Sequence, residues 1–193
     1  MNFFKRFFSK KSKAKKELPV PPPPTPQPLP EPKSNFQIAK KAEDNFDRRF
    51  RPMTTVDDDK LLHGSVEMIG NYSKLNKEDL PNKTAFNHPE NLDHAIKNGY
   101  TNWLKSVGMG DGDIAAQLCF ALSEYMVKNY EMTLYHDHLP NYKFRVFTLK
   151  KMLKDMHISI YPLEFTVQVI TEGRSFVEFE QLMIENQKNL PPA

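Results

Sequence analysis

The chain has 193 residues, a formal net charge of +3, sixteen prolines and one cysteine, which leaves room for one ordinary domain and a tail. The first sixteen residues carry seven lysines or arginines and no acid, whereas the remainder carries 20 basic against 24 acidic residues, so the body is excluded as a general polyanion binder. The lone Cys119 excludes an internal disulfide and a cysteine-based zinc site, and points to a reducing compartment.

At the amino end, MNFFKRFFSKKSKAKK places Phe3, Phe4, Phe7 and Phe8 at i, i+1, i+4 and i+5. On a helix those four rings share one side of two turns, with Lys5, Arg6, Lys10 and Lys11 around the rest and Lys13, Lys15 and Lys16 following. A basic, aromatic segment of this kind lies in the boundary of an anionic membrane, each cation contributing on the order of 1 kcal/mol before crowding and screening. The expectation is a peripheral protein on the inner face of a membrane. The apolar run is too short and too charged for a transmembrane helix or a secretory signal. Asn2 stands where myristoylation needs glycine. Two other readings stay open: Lys10-Lys11-Ser12-Lys13 also fits a nuclear-import or nucleic-acid-binding tail, and a merely solubilising or targeting tail accounts for the charge. Neither gives the four rings a use.

Nine of the fourteen residues from Pro19 to Pro32 are proline, a composition that favours an extended polyproline spacer reaching up to roughly 40 Å. Within it, Lys16 precedes Pro19 and Pro22, spaced i, i+3 on one face of a three-residue-per-turn helix, with Pro21 between them. That is the spacing of a ligand for an SH3-type groove. A plain spacer is the alternative. Residues 17–60 read as a flexible linker, with a short helix around Phe36–Phe50 and a solvated Asp57-Asp58-Asp59 run.

The body is expected over residues 61–190. Val66 and Met68 suggest a strand between Gly64 and Gly70. A helix starts at Pro89 behind a His88 cap and repeats Leu92, Ala95, Ile96, Gly99 and Trp103 on one face. After the loop Gly108–Gly112, Asp113 caps a helix with Ile114, Leu118, Cys119, Leu122, Tyr125 and Met126 inward. Phe144, Val146 and Thr148 alternate as a strand, and Leu149, Met152, Leu153 and Met156 suggest helical turns. Next, 157–161 and 163–171 read as strands parted by Pro162. Ser175 and Glu178 form a capping box ahead of Phe176, Phe179 and Met183. Helices and strands mix without a βα repeat, which gives an α+β class: a single compact domain, a small antiparallel sheet packed by about three helices, behind a disordered basic and proline-rich tail.

Chemistry-bearing motifs are few. Gly108–Gly112 lacks the lysine of a phosphate loop and contains Asp111. His136-Asp137-His138 would put two imidazoles on one strand face without an evident third ligand, and Asp57–Asp59 lacks the alternation of a calcium loop, so no metal or cofactor is expected. Tyr72-Ser73-Lys74-Leu75 fits the common YxxL peptide. No arrangement supplies a nucleophile, base and oxyanion site in recognisable context, and the expectation is a protein that is not an enzyme.

A short basic and apolar start, a lysine cluster, a proline-rich segment and one compact domain together form a layout that resembles the rhabdovirus matrix proteins, over residues 1–16 and Pro19–Pro32. The resemblance implies a viral structural protein in the virion and host cytoplasm. It would line the inner membrane leaflet, self-associate, contact the viral nucleoprotein of the nucleocapsid, and recruit host budding factors through its proline segment. Many members carry PPxY there. In this chain Pro21–Pro24 is followed by Thr25, and Pro24-Thr25-Pro26-Gln27 is only distantly similar to a P[ST]AP peptide.

Overall fold

Thirteen consecutive buried residues, Ile114–Met126, make one helix the axis of the molecule. A helix buried on all sides, with only Gln117, Ser123 and Glu124 polar in that run, belongs in the middle of a fold, with other elements laid against it. A computed structural model describes residues 36–40, 46–152 and 156–188. Their elements are β1 (Phe36–Lys40), α1 (Phe46–Arg49), β2 (Phe50–Pro52), α2 (Val56–Leu75), α3 (Pro89–Lys97), α4 (Tyr100–Ser106), α5 (Asp111–Tyr130), β3 (Thr133–Asp137), β4 (Phe147–Met152), β5 (Met156–Ile160), α6 (Pro162–Glu172) and α7 (Phe176–Lys188). The class is α+β.

The five strands form one antiparallel sheet in the order β1-β5-β4-β3-β2. In the central hairpin Leu149 stands opposite Ile160 and Lys150 opposite Ser159, while Tyr135 of β3 stands opposite Thr148. Because side chains alternate along each strand, this register sorts the sheet into two unlike faces. Leu134, Phe147, Leu149, Ile158 and Ile160 form an apolar face, on which Phe120 of α5 meets the Phe147 ring edge-on at 4.8 Å. Tyr135, Thr148, Lys150, His157 and Ser159 form the other. Helices α2 and α6 pack on α5, and α3 packs on α7.

Several expectations are corrected by this arrangement. The fold starts well before Leu61: β1, α1 and β2 belong to it, and a boundary at residue 61 falls inside α2. Gly64–Gly70 is helical, within α2. The Asp57–Asp59 run is the first turn of that helix, where carboxylates meet the positive end of the dipole. Thr55 accepts the Asp58 amide and the Asp58 carboxylate accepts the Thr55 amide, a reciprocal cap. Gly70 allows the Phe86 ring to approach: a Cβ there would stand 3.0 Å from the ring.

The helix from Pro89 is capped by His88 as expected but stops at Lys97, because Gly99 adopts φ 95° and restarts the chain as α4. Asp113 is the third residue of α5 rather than its cap. Its carboxylate accepts the amide of Gly110, which occupies the cap position. Of the residues expected in helical turns, Leu149 and Met152 are in the extended β4 and Met156 is in β5, while Leu153 lies outside the described residues. The expected strand 163–171 is the helix α6, entered through Pro162 and left through Gly173 at φ 72°. Among the described residues there are seven helices, more than the three or so expected. Helix α7 fits its expectation, with Phe176, Phe179 and Met183 buried. Its start is fixed from a distance as well, since the Asp93 carboxylate of α3 accepts the Phe176 and Val177 amides and the Ser175 hydroxyl.

Candidate functional site on the polar face of the sheet

Burying polar side chains without partners costs several kcal/mol, so a buried polar sheet face must satisfy its groups internally. Five residues of this face, Asp137, Thr148, Lys150, His157 and Ser159, are nonetheless buried. Their cover comes from α1 and β2. The Phe46 ring lies 5.6 Å from both Tyr135 and His157, and Phe50 lies 5.1 Å from Phe46.

Lys150 sits at the centre, 2% exposed. Its Nζ donates to Ser159 Oγ at 2.6 Å and stands 4.0 Å from the centre of the Phe50 ring and 5.5 Å from that of Phe46. A cation held against ring faces gains from their quadrupoles, but two rings and one hydroxyl solvate an ammonium less well than water does. Burial, reinforced by the Arg49 charge, brings the Lys150 pKa down to about 8. His157 is pushed down to about 4 by burial and by Lys150, so its imidazole is neutral at physiological pH. Its Nδ1 is buried and has no hydrogen-bond partner.

The cover is clamped by charge. Arg49 Nε and Nη2 donate to Asp137 at 2.9 and 2.7 Å, a bidentate pair that raises the guanidinium pKa further. Asp137 also accepts the Leu139 amide. One step along, Arg51 donates to Asp58 at 2.8 Å and ties β2 to the start of α2. That hydrogen bond, with those from Thr55, holds the Asp58 carboxyl below the usual range. Near the Arg49–Asp137 clamp, buried Arg145 pairs with Glu164 at 2.8 Å and lies 4.0 Å over the Tyr161 ring.

Chemically, this face combines a hydroxyl, an amine of lowered basicity, a neutral imidazole and a lining of rings. Such a set can hold or move a proton beside a nucleophilic oxygen. Sequence reasoning missed Lys150 and Ser159, because only the hairpin register brings together two residues that are nine positions apart.

The residues expected to bind membrane, Phe3, Phe4, Lys5, Arg6, Phe7, Phe8, Lys10, Lys11, Lys13, Lys15 and Lys16, and those expected to bind a partner, Lys16, Pro19, Pro21, Pro22, Pro24, Thr25 and Pro26, lie outside the described residues. His136 and His138 do come together, with ring centres 4.7 Å apart, while among the described residues no group of three or more His, Cys, Asp or Glu is placed to hold a metal ion. Tyr72 and Ser73 are buried in α2, with the Tyr72 hydroxyl donating to Asn98 O at 2.6 Å. The YxxL segment is therefore part of the fold and not a free peptide. No helix among the described residues is long and apolar enough to cross a membrane. A separate cleft of about 460 Å³ opens between α2, the 84–88 loop and α5, lined by His63, Phe86, His88, Glu124, Tyr125 and Lys128 among others.

The elements and the buried polar face define an α+β protein with an asymmetric antiparallel sheet. The chain matches no protein-family model, no curated protein and no solved structure.

Proposed function

We propose that the protein is a peripheral membrane assembly protein of the viral matrix type. Its residues 1–16 would hold it on anionic lipid, and its body would contact further copies and a nucleoprotein. One observation carries this reading: four phenylalanines and seven cations, with no acid, are gathered in sixteen residues ahead of a body with an acidic excess. Charge alone would give a reversible, salt-sensitive grip, and rings inserted at the interface add apolar transfer energy that salt does not screen. The proline tract would then carry the body away from the bilayer and leave Pro19–Pro26 open to host partners.

Flotation with vesicles containing phosphatidylserine tests it. The intact chain should float only with anionic lipid, and replacing Phe3, Phe4, Phe7 and Phe8 by Ser should release it. Unchanged flotation after those replacements, or after removal of residues 1–16, contradicts the reading.

A second reading is favoured by the spacing of Lys16, Pro19 and Pro22, which suits an adaptor that recruits an SH3-bearing partner to the membrane. An SH3-array pulldown abolished by Pro19→Ala with Pro22→Ala supports it; an unchanged pulldown removes it.

A further inference from the structure

The hairpin β4–β5 brings a serine hydroxyl against a lysine amine in a place where most of the amine's surroundings are carbon. Lys150 Nζ and Ser159 Oγ are 2.6 Å apart, both side chains are buried, and the Phe50 ring closes over the amine at 4.0 Å. In the ammonium form Lys150 donates to Ser159. Once neutral, the same geometry reverses, and the hydroxyl donates to the amine. That is the arrangement a serine needs to become a nucleophile, since a base must take its proton as it attacks. On the same face, the His157 Nδ1 is a buried polar atom left without a partner, available to a polar group of an incoming molecule. Phe46, Phe50 and Tyr135 supply an apolar lining beside it.

We propose that Ser159 and Lys150 are a nucleophile–base pair that accepts acyl groups from activated esters, in a site closed by the α1–β2 strap. Ser159 Oγ forms a bond to the acyl carbon while its proton passes to neutral Lys150 Nζ. The bond from that carbon to the leaving oxygen breaks, and the departing oxygen takes the electron pair and then the proton from Lys150. The products are an acyl ester on Ser159 and a free alcohol, with no other reactant required. The strap explains how such a site can be buried at rest. β2 is only three residues long and lies at the sheet edge, where it pairs with β3 alone and is pinned by the part-exposed Arg49–Asp137 and Arg51–Asp58 pairs. An edge segment of this kind opens locally at a free energy far below that of global unfolding. The site uses nothing from residues 1–16, so its test is independent of the membrane reading.

The test is covalent labelling of the full chain with p-nitrophenyl butyrate and with a fluorophosphonate probe, read by intact mass and peptide mapping. One adduct is expected, on Ser159, forming faster as the pH rises through about 8, where the amine loses its proton. Ser159→Ala should abolish it. Lys150→Arg keeps a cation over the rings but removes the base, and should slow labelling at least about tenfold. No adduct on Ser159 across about pH 6 to about pH 9, an adduct on Lys150 instead, or equal labelling of the Lys150→Arg protein would each overturn the proposal.

Discussion

The two faces of one five-stranded sheet are buried in different ways. On the α5 side, Leu134, Phe147, Leu149, Ile158 and Ile160 lie against a helix buried on every side, and closure is a matter of shape and apolar area. On the opposite side, Lys150, Ser159, His157, Thr148 and Asp137 are just as buried, but under a short strap clamped by two arginine–carboxylate pairs. On the apolar side the one imidazole, His136 opposite Phe147, is held below its ordinary pKa chiefly by burial. The polar face has two bases whose pKa is lowered by burial, Lys150 to about 8 and His157 to about 4. The contrast separates a surface that gives stability from one that surrenders some of it to keep reactive groups together.

Breaking the apolar face should have the largest effect. Phe120→Ala removes the ring that meets Phe147 and should cost about 3–5 kcal/mol in urea unfolding, with little dependence on pH or salt.

The polar face should instead answer to acid. His157 binds its proton at about 4 in the fold and near 6.5 in the unfolded chain. Between those values the unfolded state holds more protons, so stability falls as pH drops, by at most about 3 kcal/mol over the window. The His157→Gln protein should lack that slope in urea midpoints. For Lys150 the unfolded chain again holds the extra proton, now above about 8, so this group adds stability as pH rises from there towards its ordinary value.

Loosening the clamp comes next. Asp137→Asn leaves Arg49 without its carboxylate and should cost about 1–2 kcal/mol, because Arg49 is part-exposed and water recovers some of the loss. The difference should shrink in high salt, and hydrogen exchange should quicken at the Arg51 and Met53 amides before anywhere in α5. Arg51→Met is the smallest change, below about 1 kcal/mol, since that guanidinium is half-exposed.

Caps and single-period patterns made some of this legible in the sequence. The α5 and α7 faces could be read from apolar spacing, and Pro89 and His88 marked the start of α3. Helix α2 was hidden by Gly64, Gly70 and Ser65, which are poor helix formers, although Thr55 and Asp58 carry a capping box that could have exposed it. Helix α6 was hidden by Thr166, Val167, Val169, Ile170 and Thr171, whose β-branched side chains favour strands until tertiary packing overrides them. There too, Pro162 and Gly173 stood as start and stop signals. The polar face was not legible at all. Pairing Lys150 with Ser159 requires knowing that residues 147–152 are extended and in which register they meet β5, and a slip of one residue would send the two side chains to opposite faces.

The state of Lys150 tests this picture most directly, and a pH titration followed by NMR of its side-chain Cε and Nζ resonances, assigned through Lys150→Arg, measures it. A midpoint near 8 that returns towards the ordinary lysine range when Phe50→Ala uncovers the amine is the expected result. A midpoint at the ordinary value near 10.5 in the intact protein would mean that the amine is solvated, the strap is not closed over it, and the polar face is no reactive site.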